Sequence, residues 1–108
     1  MPAGELKHGT LALITEGVPV IAINPTDYTR QETITNIMET KARGAYVIGV
    51  SDENHETYDD WLQIPKVKEI YNPVVSIVPL FLLAYYTAVA KNLNPDKPRN
   101  LAKSVTVK

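Results

Sequence analysis

The chain has 108 residues, 44% hydrophobic and 21% charged, which suits one globular domain or part of one. Eleven basic and twelve acidic residues give a net charge of -1, so the sequence has no electrostatic signature of nucleic-acid binding. The lack of cysteine excludes disulfides, thiolate zinc sites and a cysteine nucleophile, and it fits an intracellular, cytoplasmic setting. The first nine residues lack the basic and apolar regions of a secretory signal.

Short apolar runs predict three β-strands, at residues 18–23, 45–50 and 61–64. The first two runs show no alternation of apolar and polar residues, which is typical of strands covered on both faces. A helix is predicted over residues 28–43 because Ile34, Ile37 and Met38 recur at helical spacing. Thr26 or Asp27 is expected to cap its start, and a glycine at position 44 is expected to cap its end.

A second helix is predicted over residues 73–91, with Pro73 in the first turn and Pro79 as a kink or restart. Its 17 uncharged residues, 74–90, reach the lower limit of a membrane span. Pro79 interrupts the run, and Ser76 and Thr87 make it less apolar. We therefore expect a helix buried in an α/β core and no membrane contact.

The order of the elements predicts an α/β fold with three αβα layers and a partial parallel sheet. Three short strands make a thin sheet, and the apolar edge of the first strand needs a neighbouring strand. That neighbour has to come from another chain or from further sequence. The pattern therefore indicates half of a domain.

Two segments contain residues that could do chemistry. Residues 4–14 place Glu5, Lys7 and His8 between two glycines, and a histidine there can titrate near neutral pH. Residues 97–108 form a polar tail with Lys103 between two small residues. A lysine nucleophile needs burial or a cationic neighbour. The pattern alone favours surface charges at His8 and a solvated tail lysine, and it leaves the catalytic interpretations open.

The acidic segment 51–60 surrounds His55 with carboxylates but matches neither an EF-hand loop nor the HExxH spacing. A solvated loop is the favoured interpretation, and no metal site is expected. The sequence contains neither GxGxxG nor a P-loop, so no nucleotide cofactor is expected either.

The segments "PAGELKHGTLALI" and "PRNLAKSVTVK" together resemble one family, glutamine–fructose-6-phosphate aminotransferase (isomerising), also called glucosamine-6-phosphate synthase. The segments "VPVIAI", "KARG", "YVIGV" and "VVSIVPLFLLAYYTAVAKNLNPDKPRN" agree with the family in layout. The resemblance covers the final part of the family's chain. It implies that residues 1–96 are the second half of a sugar isomerase (SIS) domain and that residues 97–108 are a C-terminal tail acting as an active-site lid.

The resemblance also implies the activity, which converts fructose 6-phosphate and glutamine to glucosamine 6-phosphate and glutamate. The family's histidine that assists ring opening falls on His8, usually across a homodimer interface. The family's lysine that forms a Schiff base with the open-chain ketone falls on Lys103, and the backbone of Ala102 falls where the tail touches the sugar. No cofactor is implied.

Several parts of the family's machinery lie outside the resemblance. These are the glutaminase domain, the phosphate loop of the first SIS domain and the catalytic glutamate, a role that Glu5 does not take. Thr10 stands where the family usually has proline. We therefore expect the chain alone to lack activity and to require the N-terminal part of the enzyme. The alternatives are a non-catalytic SIS module for sugar-phosphate binding or dimerisation, and an unrelated small α/β domain.

Overall fold

The computed structural model describes residues 1–97. This part of the chain folds into three strands, two α-helices and three short 3-10 segments. In chain order they are η1 (Ala3–His8), η2 (Thr10–Leu13), β1 (Pro19–Ile23), α1 (Arg30–Lys41), β2 (Tyr46–Ser51), β3 (Asp60–Gln63), η3 (Glu69–Tyr71) and α2 (Asn72–Ala90).

The three strands form one parallel sheet in the order β1-β2-β3, which confirms the predicted α/β class. In the register, Val20 lies beside Val47 and Ala22 lies beside Gly49. Side chains alternate between the two faces of a sheet, so these four residues share one face. We call it the closed face, because Ile37 of α1 and Tyr58 pack there with Ala22 and Val47 in the hydrophobic core.

Helix α1 is two residues shorter at each end than predicted, and the residue before its first turn is Thr29, so the expected cap at Thr26 or Asp27 is wrong by two or three residues. Asp27 Oδ1 accepts hydrogen bonds from the backbone N–H and the hydroxyl of Thr29, each at 2.7 Å. At the other end, Gly44 has φ 87°, and the N–H of Ala45 donates to the carbonyl of Thr40. That six-residue closure with a left-handed glycine is a Schellman motif, so the predicted glycine cap is confirmed.

The opposite face of the sheet, which we call the open face, carries the alternate residues Ile21, Ile23, Tyr46, Ile48 and Val50, of which Val50 is fully buried. The prediction that β1 is covered on both faces is wrong for the described residues. Ile21 is 46% exposed and Ile23 is 48% exposed. An unalternating apolar run specifies a strand that is apolar on both faces, but it does not specify which part of the protein covers each face.

Helix α2 also departs from its prediction. It runs through Pro79 without a restart, and among its residues only Asn72 and Ser76 are buried. Phe81 is 66% exposed. Burial of this helix in an α/β core is therefore wrong for residues 1–97, because α2 contacts the sheet at β2 and no described element covers its remaining surface. By length and composition alone, the stretch Glu69–Ala90 could cross a membrane, with a hydropathy of 1.9 and 6% of its most apolar window buried.

Candidate functional site

His8, the predicted proton-transfer residue, ends η1 and is exposed. Its imidazole lines a shallow pocket of about 460 Å³ at the junction of η1, η2 and the end of α1. The residues that line this pocket are Lys7, His8, Gly9, Leu11, Ala12 and Arg43. The pocket therefore combines an imidazole with two permanent cations and a small apolar wall.

Glu39 of α1 holds both cations of this pocket. The Lys7 ammonium lies 2.8 Å from Glu39 Oε1, and Arg43 Nη1 donates to the Glu39 backbone carbonyl at 2.8 Å. The sequence analysis singled out Lys7 but missed Arg43. The available signal was a basic residue in the turn after α1, next to the glycine cap, where such residues commonly face the helix carbonyls.

Among the residues that line this pocket, His8 carries the side chain that most often serves as a general acid or base. No carboxylate is among its lining residues. A reaction that needs both an acid and a base must therefore draw its second group from residues other than those lining the pocket. The cations favour a ligand with negative charge or with oxygen acceptors.

The other two predicted site residues, Ala102 and Lys103, lie outside the described residues 1–97. Their roles, and their approach to His8, stay predictions.

A second polar cluster lies at the carboxyl ends of the strands, where open α/β sheets commonly bind ligands. Thr26 N–H donates to Asp52 Oδ1 at 2.7 Å, and Arg30 Nη1 donates to the Asn24 carbonyl at 3.1 Å. Burial raises the pKa of Asp52, but the hydrogen bonds from Thr26 and the charge of Arg30 outweigh it and hold this pKa below its usual value. These groups are engaged with one another, so the cluster connects loops within the fold.

Asn24 lies deepest in this cluster, with 2% of its surface exposed. Its Nδ2 donates to the Tyr58 hydroxyl at 2.8 Å, while its Oδ1 has no partner among the described residues. The Tyr58 ring reaches this position because Gly49 lies beneath it, and any Cβ at position 49 would overlap the ring. The sequence analysis missed this trio, whose signal was a single glycine inside an apolar strand.

His55 lies half-buried in the loop between β2 and β3. Its Nδ1 lies 3.0 Å from the hydroxyl of Thr57, and its ring lies 5.9 Å from that of Tyr58. Within residues 1–97, no three His, Cys, Asp or Glu side chains converge in a way that could hold a metal ion.

Comparison with known protein sequences finds relatives that share one name. The chain is 53% identical over 109 residues to the glutamine–fructose-6-phosphate aminotransferase [isomerizing] of Pyrococcus horikoshii, with 99% of this chain and 18% of that protein aligned. The protein of the same name from Methanosarcina acetivorans is 54% identical over 110 residues, with 97% of this chain and 18% of that protein aligned. The chain thus spans about a fifth of the length of the relatives it matches.

Comparison with solved structures agrees. The C-terminal domain of glucosamine-fructose-6-phosphate aminotransferase from Francisella tularensis superposes with a TM-score of 0.80 at 33% identity. The match covers 90% of this chain and 29% of that one. The predicted resemblance to this aminotransferase is therefore confirmed in sequence and in fold. The family model described as SIS domain matches residues 1–91, and this chain belongs to the SIS domain family.

Proposed function

We propose that this chain is the C-terminal isomerase segment of a glutamine–fructose-6-phosphate aminotransferase, which makes glucosamine 6-phosphate and glutamate from fructose 6-phosphate and glutamine. The observation that carries the proposal is the 53% identity to the Pyrococcus horikoshii protein across 99% of the chain. In this proposal residues 1–96 form the second half of a SIS domain, and residues 97–108 form the tail that closes the active site.

His8 assists opening of the sugar ring. Ring opening of a hemiketal moves a proton from the anomeric hydroxyl to the ring oxygen, and an imidazole transfers protons well near neutral pH. The exposed pocket around His8 supports this role, because a sugar can reach the ring without any rearrangement of the described residues. Lys7 and Arg43, both held by Glu39, give the pocket a fixed wall.

Lys103 activates the open-chain ketone. Its neutral amine condenses with the C2 carbonyl, a molecule of water leaves, and the resulting imine makes the neighbouring carbon more acidic. The backbone of Ala102 contacts the sugar beside it. The sequence "PRNLAKSVTVK", which resembles the family's tail over its whole length, supports both assignments.

The residues that line the pocket around His8 include no carboxylate, and the nearby carboxylate of Glu39 is paired with Lys7, which supports a site completed by other polypeptide segments. We propose that these are the N-terminal part of the enzyme and a second subunit of a homodimer in the cytoplasm. The relatives are about five times longer than the aligned segment, which leaves room for a glutaminase domain and the phosphate site.

A chimera tests the proposal directly. This chain replaces the matched segment of the Pyrococcus horikoshii protein, and glucosamine 6-phosphate formation is measured. The chimera is expected to be active, while Lys103→Arg keeps the charge but forms no imine and lowers kcat by about 100-fold or more. Borohydride with fructose 6-phosphate should trap a sugar adduct on Lys103 in the chimera and not in the variant.

His8→Asn in the same chimera should lower turnover of the closed-ring sugar by about 10²–10⁴-fold, the range of general acid–base catalysis. Met38→Gln, at an exposed position of α1 outside the pocket, is the matched control and should keep full activity. A folded chimera that binds fructose 6-phosphate but forms neither product nor trapped adduct would favour the alternative, a non-catalytic sugar-phosphate module. Turnover by the isolated 108-residue chain would contradict the proposed dependence on the rest of the enzyme.

A further inference from the structure

The chain leaves helix α2 through two consecutive hydrogen-bonded turns. In the first turn, Asn92 N–H donates to the Val89 carbonyl at 2.9 Å, and Leu93 N–H donates to the Ala88 carbonyl at 2.8 Å. Asn92 has φ 54°, and within residues 1–97 it is the one non-glycine residue with a positive φ. This pair of bonds around a left-handed residue is a second Schellman motif, in which asparagine takes the place that Gly44 takes after α1.

The second turn is made by Asn94. Its Oδ1 accepts hydrogen bonds from the backbone N–H of Asp96 at 2.9 Å and from that of Lys97 at 3.1 Å. A side-chain oxygen that accepts from backbone two residues ahead forms an Asx turn, which reverses the chain without help from other elements. Pro95 fixes its own φ and also restricts the backbone of Asn94 before it. The path of residues 92–97 is therefore set by these residues themselves.

Burial does not account for this order. Residues 91–97 are all exposed, yet five of their backbone N–H groups donate hydrogen bonds. Fixing backbone costs conformational entropy, and an exposed segment recovers none of that cost through apolar contacts. Ending α2 requires the first turn alone, because its two bonds satisfy the last helix carbonyls. The second turn therefore fixes the chain that follows the helix.

The length of the tail makes the exit direction from these turns matter. Lys103 follows Lys97 by six residues in the sequence, and six residues span at most about 20 Å. The surface that its amine can reach thus depends on where, and in which direction, the chain leaves Lys97. An amine that is already directed at its target reacts faster, because less orientational freedom is lost on reaching the reacting geometry.

We propose that Asn92 and Asn94 are positioning residues for the amine of Lys103. The left-handed turn at Asn92 and the Asx turn at Asn94 fix the exit direction of residues 97–108, and this direction brings Lys103 to the sugar carbonyl. Neither asparagine touches the sugar, since each acts through the backbone that follows it. The inference rests on the proposed function, because it requires the Schiff base on Lys103.

The plainer explanation is that both asparagines only stabilise the end of α2. In that case their replacement lowers the stability of the fold and leaves the chemistry of the folded enzyme unchanged. The two explanations therefore differ in kcat and in the rate of imine formation, which are measured on folded protein.

Variants of the Pyrococcus horikoshii chimera separate these explanations. Asn92→Ala replaces a residue that tolerates the left-handed region by one that does not, and Asn94→Ala removes the acceptor of two N–H groups. Each should lower kcat, and the rate at which borohydride traps the adduct on Lys103 at saturating fructose 6-phosphate, by about 10-fold or more.

Conservative variants at the same positions should restore both rates. Asn92→Gly adopts the left-handed region freely, and Asn94→Asp keeps an oxygen acceptor for the two N–H groups. Asn54→Ala is the matched control, because Asn54 is an exposed loop residue whose Oδ1 accepts from the His55 N–H at 2.8 Å. It should leave both rates unchanged. Urea denaturation of each chimera reports any loss of stability separately.

A distance measurement on the 108-residue chain does not depend on activity. The chain has no cysteine, so Tyr86→Cys and Lys97→Cys can carry two spin labels at exposed positions. Electron–electron distances between the labels should form one narrow distribution. Asn92→Ala and Asn94→Ala together should broaden it, while Asn94→Asp alone should keep it narrow.

The possible failures can be told apart. Full kcat and full trapping in Asn92→Ala and Asn94→Ala, in a chimera that Lys103→Arg inactivates, would overturn the inference and leave the proposed function intact. Losses that Asn92→Gly and Asn94→Asp do not restore would overturn it as well. An unchanged distance distribution in the double alanine variant would overturn it even if the chimera were inactive. Full activity of Lys103→Arg would refute the proposed function and, with it, this inference.

Discussion

Both faces of the sheet are apolar, but within residues 1–97 they are covered to different extents: the open face buries Val50 of β2 fully and leaves β1 half exposed. On the closed face, Val47 has 0% exposure and Ala22 has 8%, because α1 and Tyr58 pack over them. On the open face, Ile21 and Ile23 remain nearly half exposed, and along α2 the side chain of Phe81 is 66% exposed. The apolar residues of this chain thus fall into two groups, one buried within residues 1–97 and one that the described residues leave exposed.

The largest loss of stability is expected on truncating a buried residue of the closed face. Ile37→Ala removes a side chain that is 3% exposed in the core of the closed face, so it should lower the free energy of unfolding by about 2–5 kcal/mol. Urea denaturation of the chain, followed by circular dichroism, measures this change.

Phe81→Ala supplies the contrast, since it removes a larger side chain from the exposed surface of α2. It should change the free energy of unfolding of the isolated chain by less than ~0.5 kcal/mol. Equal losses for the two variants would contradict the division into a buried and an exposed group.

A smaller loss of stability is expected on removing the buried hydrogen bond between Asn24 and Tyr58. Tyr58→Phe keeps the ring over Gly49 but removes the acceptor of Asn24 Nδ2, leaving a buried amide without a partner. The expected loss is about 1–3 kcal/mol, measured by the same urea titration. Tyr28→Phe, at a side chain that is 88% exposed, should have no measurable effect.

The smallest effect depends on pH. Asp59 Oδ1 accepts from the Lys41 ammonium and Oδ2 accepts from Val47 N–H, each at 2.7 Å, and these two hydrogen bonds lower the pKa of this carboxyl. A carboxyl whose pKa is lower in the folded state stabilises the fold above its unfolded pKa of about 3.9 and loses that contribution as pH falls through its folded pKa.

Asp59→Asn should therefore lower the urea midpoint at pH 7, and its difference from the unsubstituted chain should close as the pH falls through the lowered pKa of Asp59 in the folded state. Glu69→Gln, an exposed carboxylate at the start of η3, should leave the midpoint unchanged across the same pH range. A deficit for Asp59→Asn that persists in acid would show that the carboxylate charge is not the cause.

The sequence predicted the parallel sheet, helix α1 and the glycine cap because their signals are local. Spacing at Ile34 and Ile37 selects a helix, and a glycine after it supplies the left-handed residue that ends it. The predicted burial of β1 and α2 was wrong for residues 1–97. Apolar composition indicates that a segment is suited to burial, but it does not indicate which part of the protein covers it. The contacts of Tyr58 are not local, because Asn24 lies 34 residues before it and Gly49 lies nine residues before it. Only the fold brings these three residues together.

The candidate site divides in the same way. His8 could be singled out from its glycine-flanked motif, and the resemblance assigned it a role. Arg43 joins its pocket only through the contact between α1 and η1, and the lining residues of that pocket contain no carboxylate. A site assembled from several segments shows only part of its chemistry in any one segment.

Pro19 has a consequence for how this chain avoids aggregation. An unpaired strand edge is a template on which identical strands can stack into fibrils. Tyr46 N–H bonds to the Val18 carbonyl and Asn24 N–H bonds to the Val50 carbonyl, so Pro19 faces the free edge of β1, where it has no N–H to donate to a stacked strand.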